Sequence, residues 1–235
     1  MKTIGLIGGM SWESTVEYYR IINETVNEKL GGHHSGKLIL YSVDFDEIVK
    51  LMKKDDWKEI SERIKEVAQR LEKAGADFIL ICTNTIHKVA KEVEKSINIP
   101  LIHIVDVTAE EIKKKGLKTV GLLGTKTTME DNFYKIKLKE HGIEVIIPEK
   151  NERELVDRII FDELCRGIIN PSSKDALMKI IDKLQSKGAE GIILGCTELP
   201  LIIKQEDVEI PIFDTTAIHA KSAVELALRN FNLPR

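Results

Sequence analysis

Absences bound this chain before any motif does. Its 235 residues include only three cysteines, Cys82, Cys165 and Cys196, an odd number with no CxxC spacing. That excludes a disulfide framework and a structural zinc site, and it points to reduced thiols in a cytoplasmic protein. No segment approaches the ~18 apolar residues of a membrane helix, and the apolar run in MKTIGLIGG is too short for a signal peptide. Neither sign of charge dominates: 35 Lys and Arg stand against 38 Asp and Glu, a net charge of −3. No basic run is dense enough to imply a nucleic-acid or membrane partner, and mixed-sign stretches such as EEIKKK read as solvated helix faces. Neither GLIGGM nor GLLGTK completes a GxGxxG spacing, and GxxxxGK[ST] does not occur, so dinucleotide and phosphate-loop chemistry have little support.

What is present is a chain 43% hydrophobic and 31% charged, enough to bury a sizeable core in one large or two small domains. Short apolar runs at 3–8, 38–43, 78–82, 101–105, 119–124, 144–147, 192–195 and 210–213 read as strands. They alternate with amphipathic segments near 14–30, 57–74, 85–96, 107–115, 129–141, 152–165, 172–187 and 216–230. Strands that are apolar at nearly every position, alternating with helices, imply parallel sheets covered on both faces, hence the α/β class.

The chain also repeats itself. TIGLIG at 3–8 recurs as TVGLLG at 119–124, RIKEVAQRLEKAGADFIL at 63–80 as ALMKIIDKLQSKGAEGII at 176–193, and INIPLI at 97–102 as VEIPIF at 208–213. Ile64, Val67, Ala68 and Leu71 fall on Leu177, Ile180, Ile181 and Leu184, one i, i+3, i+4, i+7 stripe. Three blocks in one order at offsets of 116, 113 and 111 describe two similar halves of about 110 residues. The expected arrangement is two pseudo-symmetric three-layer α/β domains with mainly parallel sheets and a site in the cleft between them. The first comprises 1–100 plus about 212–235, and the second 101–211.

Continuing the 113-residue offset aligns Cys82 with Gly195 and Thr83 with Cys196. The pair to examine is therefore Thr83 and Cys196, with Cys82 as a buried neighbour. Both stand where an apolar strand ends, the edge at which open α/β sheets bind ligands. If a helix N-terminus follows, its free amides and positive partial charge lower a thiol pKa from about 8.5, so Cys196 is expected to serve as a base. GGMSWEST at 8–15 and GTKTTMED at 124–131 are the equivalent first strand-to-helix turns, offering Ser11, Ser14 and Thr15 in one and Thr125, Thr127 and Thr128 in the other. Hydroxyls and helix amides together suit a carboxylate, although N-capping alone accounts for each such residue singly.

IGLIGGMSWEST, CTNTIHK, GCTEL and IPIFDTTAIHA closely resemble the aspartate/glutamate racemase family, and within it the L-aspartate/glutamate-specific branch, over essentially the whole chain. The resemblance implies no cofactor or metal, a small dicarboxylic amino acid as partner, a homodimer, and two bases flanking the substrate Cα. The family pattern puts a cysteine before Asn-Thr; here Thr83 precedes Asn84-Thr85. Carried over by position, Thr83 and Cys196 are the catalytic pair, and Met10, Ser11, Met52, Thr83, Asn84, Thr85, Thr125, Thr127 and Thr197 contact substrate. Cys165 or Arg166 stands where relatives carry a basic residue. Rival readings are another member of the superfamily, such as a cell-wall glutamate racemase or a maleate isomerase, and a dicarboxylate-binding protein without chemistry.

Overall fold

The computed structural model describes residues 1–229 and 231. In chain order its strands are β1 (Ile4–Gly8), β2 (Leu38–Ser42), β3 (Phe78–Ile81), β4 (Thr119–Gly124), β5 (Glu144–Ile146), β6 (Ile192–Gly195) and β7 (Ile212–Asp214). Its helices are α1 (Trp12–Leu30), α2 (Phe45–Lys53), α3 (Trp57–Lys73), α4 (Ala90–Glu94), α5 (Ile104–Lys114), α6 (Lys126–Glu130), α7 (Asn132–Glu140), α8 (Lys150–Arg158), α9 (Pro171–Ser186) and α10 (Thr215–Leu228). They fold into two compact units: Met1–Ile104 with the chain from His219 onward, and Val105–Ile218. Among the described residues no helix is long and apolar enough to cross a membrane.

The first unit is built on a parallel sheet of order β2-β1-β3. Side chains alternate across a strand, so β1 and β3 each feed two cores. Ile4, Leu6, Phe78, Leu80 and Cys82 pack with Tyr18, Ile22 and Val26 of α1 and with Ala220, Ala223, Val224 and Ala227 of α10. Ile7, Ile79 and Ile81 pack with Ile60, Ile64, Val67, Ala68 and Leu71 of α3, the stripe that the helical spacing requires. Each large aliphatic side chain so buried stabilises the unit by about 1.5–3 kcal/mol relative to exposure.

The second unit repeats the plan with order β5-β4-β6-β7, again all parallel. The repeat is visible in detail. Tyr18 of α1 and Tyr134 of α7, 116 residues apart, are both fully buried. Gly5 of β1 and Gly121 of β4 hold the same place, and a Cβ would lie 2.9 Å from the Ala76 methyl at Gly5 and 2.6 Å from Ile192 at Gly121. Asp106 of α5 is tied to α7, accepting from His141 Nε2 at 2.8 Å and from Lys137 at 3.0 Å.

Three details differ from the sequence reading. The strand expected at 101–105 is a single bridge, Ile79↔Leu101, because the chain turns into α5 at Ile104. Residues 212–214, assigned above to the first domain, form β7 and pair with β6 in the register Ile192↔Ile212, so backbone hydrogen bonding holds them in the second unit. What joins the first unit is α10 from His219, whose alanine face completes the core of β1 and β3. Finally, the helices expected at 85–96 and 152–165 are broken. A 3₁₀ turn at Thr85–Val89 precedes α4, and α8 gives way to a π turn at Ile159–Glu163 and a 3₁₀ turn at Leu164–Arg166.

Candidate active site

Parallel strands deliver their carboxyl ends to one edge of a sheet, and each unit gathers its chemistry there. In the first unit the chain leaves β1 through Gly9, whose φ of +88° and a would-be Cβ 2.4 Å from Val43 O admit only glycine. Ser11 then caps α1: its hydroxyl accepts from Ser14 N, and its carbonyl accepts from the hydroxyls of Ser14 and Thr15. Thr15 Oγ1 in turn accepts from Gly9 N at 2.8 Å, closing the turn on itself. Met10 is buried in the apolar cluster around Ile7, and Met52 of α2 is half-buried against the same cluster. Both methionine side chains therefore pack.

Beside that turn, β3 ends with Cys82 N donating to Ile7 O at 2.9 Å. Cys82 is wholly buried among Ile4, Phe78 and Leu80, and that burial pushes its thiol pKa up, as suits an inert core residue. Thr83, Asn84 and Thr85 follow, all buried. The 3₁₀ turn brings His87 back over Thr83. Ile104 N–H donates to His87 Nε2 at 3.2 Å, so the ring is neutral with its proton on Nδ1, which donates to Thr83 O at 2.7 Å. His87 thus fixes the peptide that carries the candidate hydroxyl. Its ring lies 4.6 Å from His103 and 5.8 Å from His219. His219 donates from Nε2 to Ile102 O and accepts from Tyr18 OH at Nδ1, both at 2.8 Å. Burial lowers its pKa to about 3.

In the second unit the register Gly124↔Gly195 makes Thr125 and Cys196 the first residues beyond the paired ends of β4 and β6. Thr125 caps α6, its hydroxyl accepting from Thr128 N and donating to Thr128 Oγ1, while Thr127 is half-buried on the first turn. Cys196, Thr197 and Glu198 are all buried, at 6%, 3% and 3% exposure. The Glu198 carboxylate is the focus. Cys196 Sγ donates to its Oε2 at 2.9 Å, and Thr197 Oγ1 donates to the same atom at 3.0 Å.

This overturns the expected titration of Cys196. No long helix follows β6; a three-residue 3₁₀ turn, Leu199–Leu201, does, so there is little aligned dipole to stabilise a thiolate. Burial, then the Glu198 charge, then Cys165 hold the thiol pKa well above its ordinary value. At neutral pH Cys196 rests as a protonated thiol donating to a carboxylate.

Sequence reasoning missed Glu198 and His87. Both were signalled by position: Glu198 two residues beyond the strand-end cysteine in GCTE, and His87 four beyond Thr83, one turn on. Cys165 is half-buried on its 3₁₀ turn and Arg166 is exposed. No group of three or more His, Cys, Asp or Glu among the described residues is placed to hold a metal ion.

A family model described as Asp/Glu/Hydantoin racemase matches residues 7–223. The broad specificity amino-acid racemase RacX of Bacillus subtilis is 33% identical over 176 residues, 74% of each chain. A solved structure of a candidate Asp/Glu racemase from Yersinia pestis superposes with a TM-score of 0.90 at 53% identity, covering 97% of this chain and 100% of that one. An aspartate racemase homologue from Pyrococcus horikoshii superposes with a TM-score of 0.84 at 42% identity, covering 97% and 99%. With a match running from β1 into α10, the protein belongs to the Asp/Glu/Hydantoin racemase family.

Proposed function

We propose that this protein is a cofactor-independent racemase of aspartate, glutamate or both, preferring the L enantiomers, in which Cys196 and Thr83 serve opposite faces of the substrate Cα. The observation that carries the reading is the 2.9 Å contact between a buried thiol and the buried Glu198 carboxylate. A protonated thiol cannot take a proton from carbon. Glu198 supplies what is missing: it accepts the thiol proton as substrate binds, leaving a thiolate that removes the α-hydrogen.

The Sγ–H bond breaks and Glu198 becomes a carboxylic acid. The Cα–H pair of electrons stays on the substrate, spread into its α-carboxylate, and the hydrogen passes to Sγ. A proton then reaches the other face from water ordered by the Thr83 hydroxyl. A threonine hydroxyl is far too weak an acid to be ionised beforehand, so Thr83 orients that water. Glu198 finally releases its proton to solvent and the Thr83 side regains one, which balances the cycle. His87 supports this role by fixing the Thr83 peptide.

Enantiomers have equal free energy in water, so kcat/KM is equal in both directions, and an L preference appears only in how kcat and KM divide. Homodimeric assembly in the cytoplasm belongs to the same proposal. The more than half-exposed Trp12, Val16 and Tyr19, at i, i+4 and i+7 of α1, support self-association. The function is tested by incubating the protein with each enantiomer of aspartate and glutamate, and with maleate, and resolving products on a chiral column. Racemates from the amino acids are expected; fumarate from maleate, or saturable binding without conversion, would overturn the reading.

A further inference from the structure

Three buried side-chain oxygens among the described residues have no hydrogen-bond partner: Glu13 Oε2, Glu163 Oε2 and Thr216 Oγ1. The two glutamates are half-buried and rotatable. Thr216 is 2% exposed and β-branched, hence stiff about χ1, and an unmatched hydroxyl held in such a place costs free energy. Its neighbours on the first turn of α10 are committed. Thr215 Oγ1 donates to Leu194 O at 2.8 Å, and Asp214 Oδ1 accepts from Ala217 N at 3.0 Å. The first of these ties the start of α10 to β6, and the second caps α10 locally.

The register fixes what lies beside Thr216. Leu194 pairs with Asp214, and Cys196 and Thr216 each stand two residues beyond that pair, at the same edge of the sheet. Two hydroxyls expected to grip a carboxylate are already donating elsewhere in this unit: Thr125 to Thr128, and Thr197 to Glu198. We propose that the Thr216 hydroxyl is a substrate contact, donating to a carboxylate of the dicarboxylic amino acid on which Cys196 acts. This assignment rests on the racemase reading above and adds a binding residue to it. An incoming carboxylate relieves an unmatched buried donor, so the bond forms where water has already been excluded.

The test uses Thr216→Val, which keeps the shape and removes the hydroxyl, and Thr216→Ser, which keeps the hydroxyl. Melting temperature is measured without ligand, and affinity for L-aspartate and L-glutamate by calorimetry. Thr216→Val is expected to melt at or above the wild-type temperature while binding the better ligand about ten-fold more weakly, with Thr216→Ser returning to within about three-fold. A lower melting temperature with unchanged affinity means the hydroxyl serves a bound water only, and refutes the contact. Failure of the wild type to bind either amino acid refutes the contact together with the racemase reading, whereas wild-type binding that Thr216→Val leaves intact refutes the contact alone.

Discussion

Glu198→Gln separates two things that one carboxylate does. Its charge opposes ionisation of Cys196, and its lone pairs accept the thiol proton. At 2.9 Å, two unit negative charges repel by roughly 6 kcal/mol at an effective dielectric of about 20. That repulsion disfavours the Cys196 thiolate beside the carboxylate. Glutamine keeps the shape, removes the charge, and cannot take the proton. Of the causes that raise the thiol pKa, burial and Cys165 remain while the Glu198 charge disappears, so Cys196 in the variant should ionise at lower pH than in the wild type. Turnover should nevertheless fall by about 10²–10⁴, the usual contribution of a positioned acid–base group.

The assay pairs chiral chromatography of L-aspartate turnover with mass-spectrometric alkylation of the Cys196 peptide as a function of pH. Expected is an alkylation profile displaced to lower pH together with a collapse of racemisation. If the carboxylate merely suppressed the thiolate, Glu198→Gln would racemise as fast as the wild type or faster, and the proton-acceptor role would be refuted.

Thr83→Cys should raise kcat several-fold, because a thiol is a far better proton donor and acceptor than a hydroxyl; progress curves from each enantiomer check it, and no gain would assign Thr83 another task. His219 should make stability pH-dependent. Its folded pKa of about 3 lies below the unfolded value near 6.5, so its contribution is fully present above about pH 6.5 and is lost as pH falls toward 3, at up to about 1.4 kcal/mol per pH unit. Chemical denaturation between pH 7 and pH 4 should show a flatter slope for His219→Gln than for the wild type, and equal slopes would contradict the buried neutral ring.

The fold was legible because its determinants are local and repeated. The stripe on α3 recurs on α9, and Gly5 recurs as Gly121. The crossing points were not legible to the residue, since β7 and the bridge at Leu101 share one IP motif and only hydrogen bonding to the sheet decides which unit holds each. In the site, sequence alignment found Cys196 but assigned its protonation from an assumed helix. The structure replaces that helix with a short turn and brings Glu198 against the sulfur, and both changes favour the protonated thiol. Such electrostatics depend on burial and side-chain direction, which spacing does not encode. The same holds for His87, whose four-residue offset from Thr83 became a hydrogen bond only through the 3₁₀ turn at Thr85–Val89.

The central claim is that Cys196 removes the α-hydrogen, and its most direct test is exchange of that hydrogen in D₂O, followed by proton NMR on each enantiomer of aspartate and glutamate. The wild type should incorporate deuterium at Cα as it interconverts the enantiomers, and Cys196→Ser, which exchanges only the thiol for a hydroxyl, should show neither. Full exchange by Cys196→Ser would contradict the claim outright.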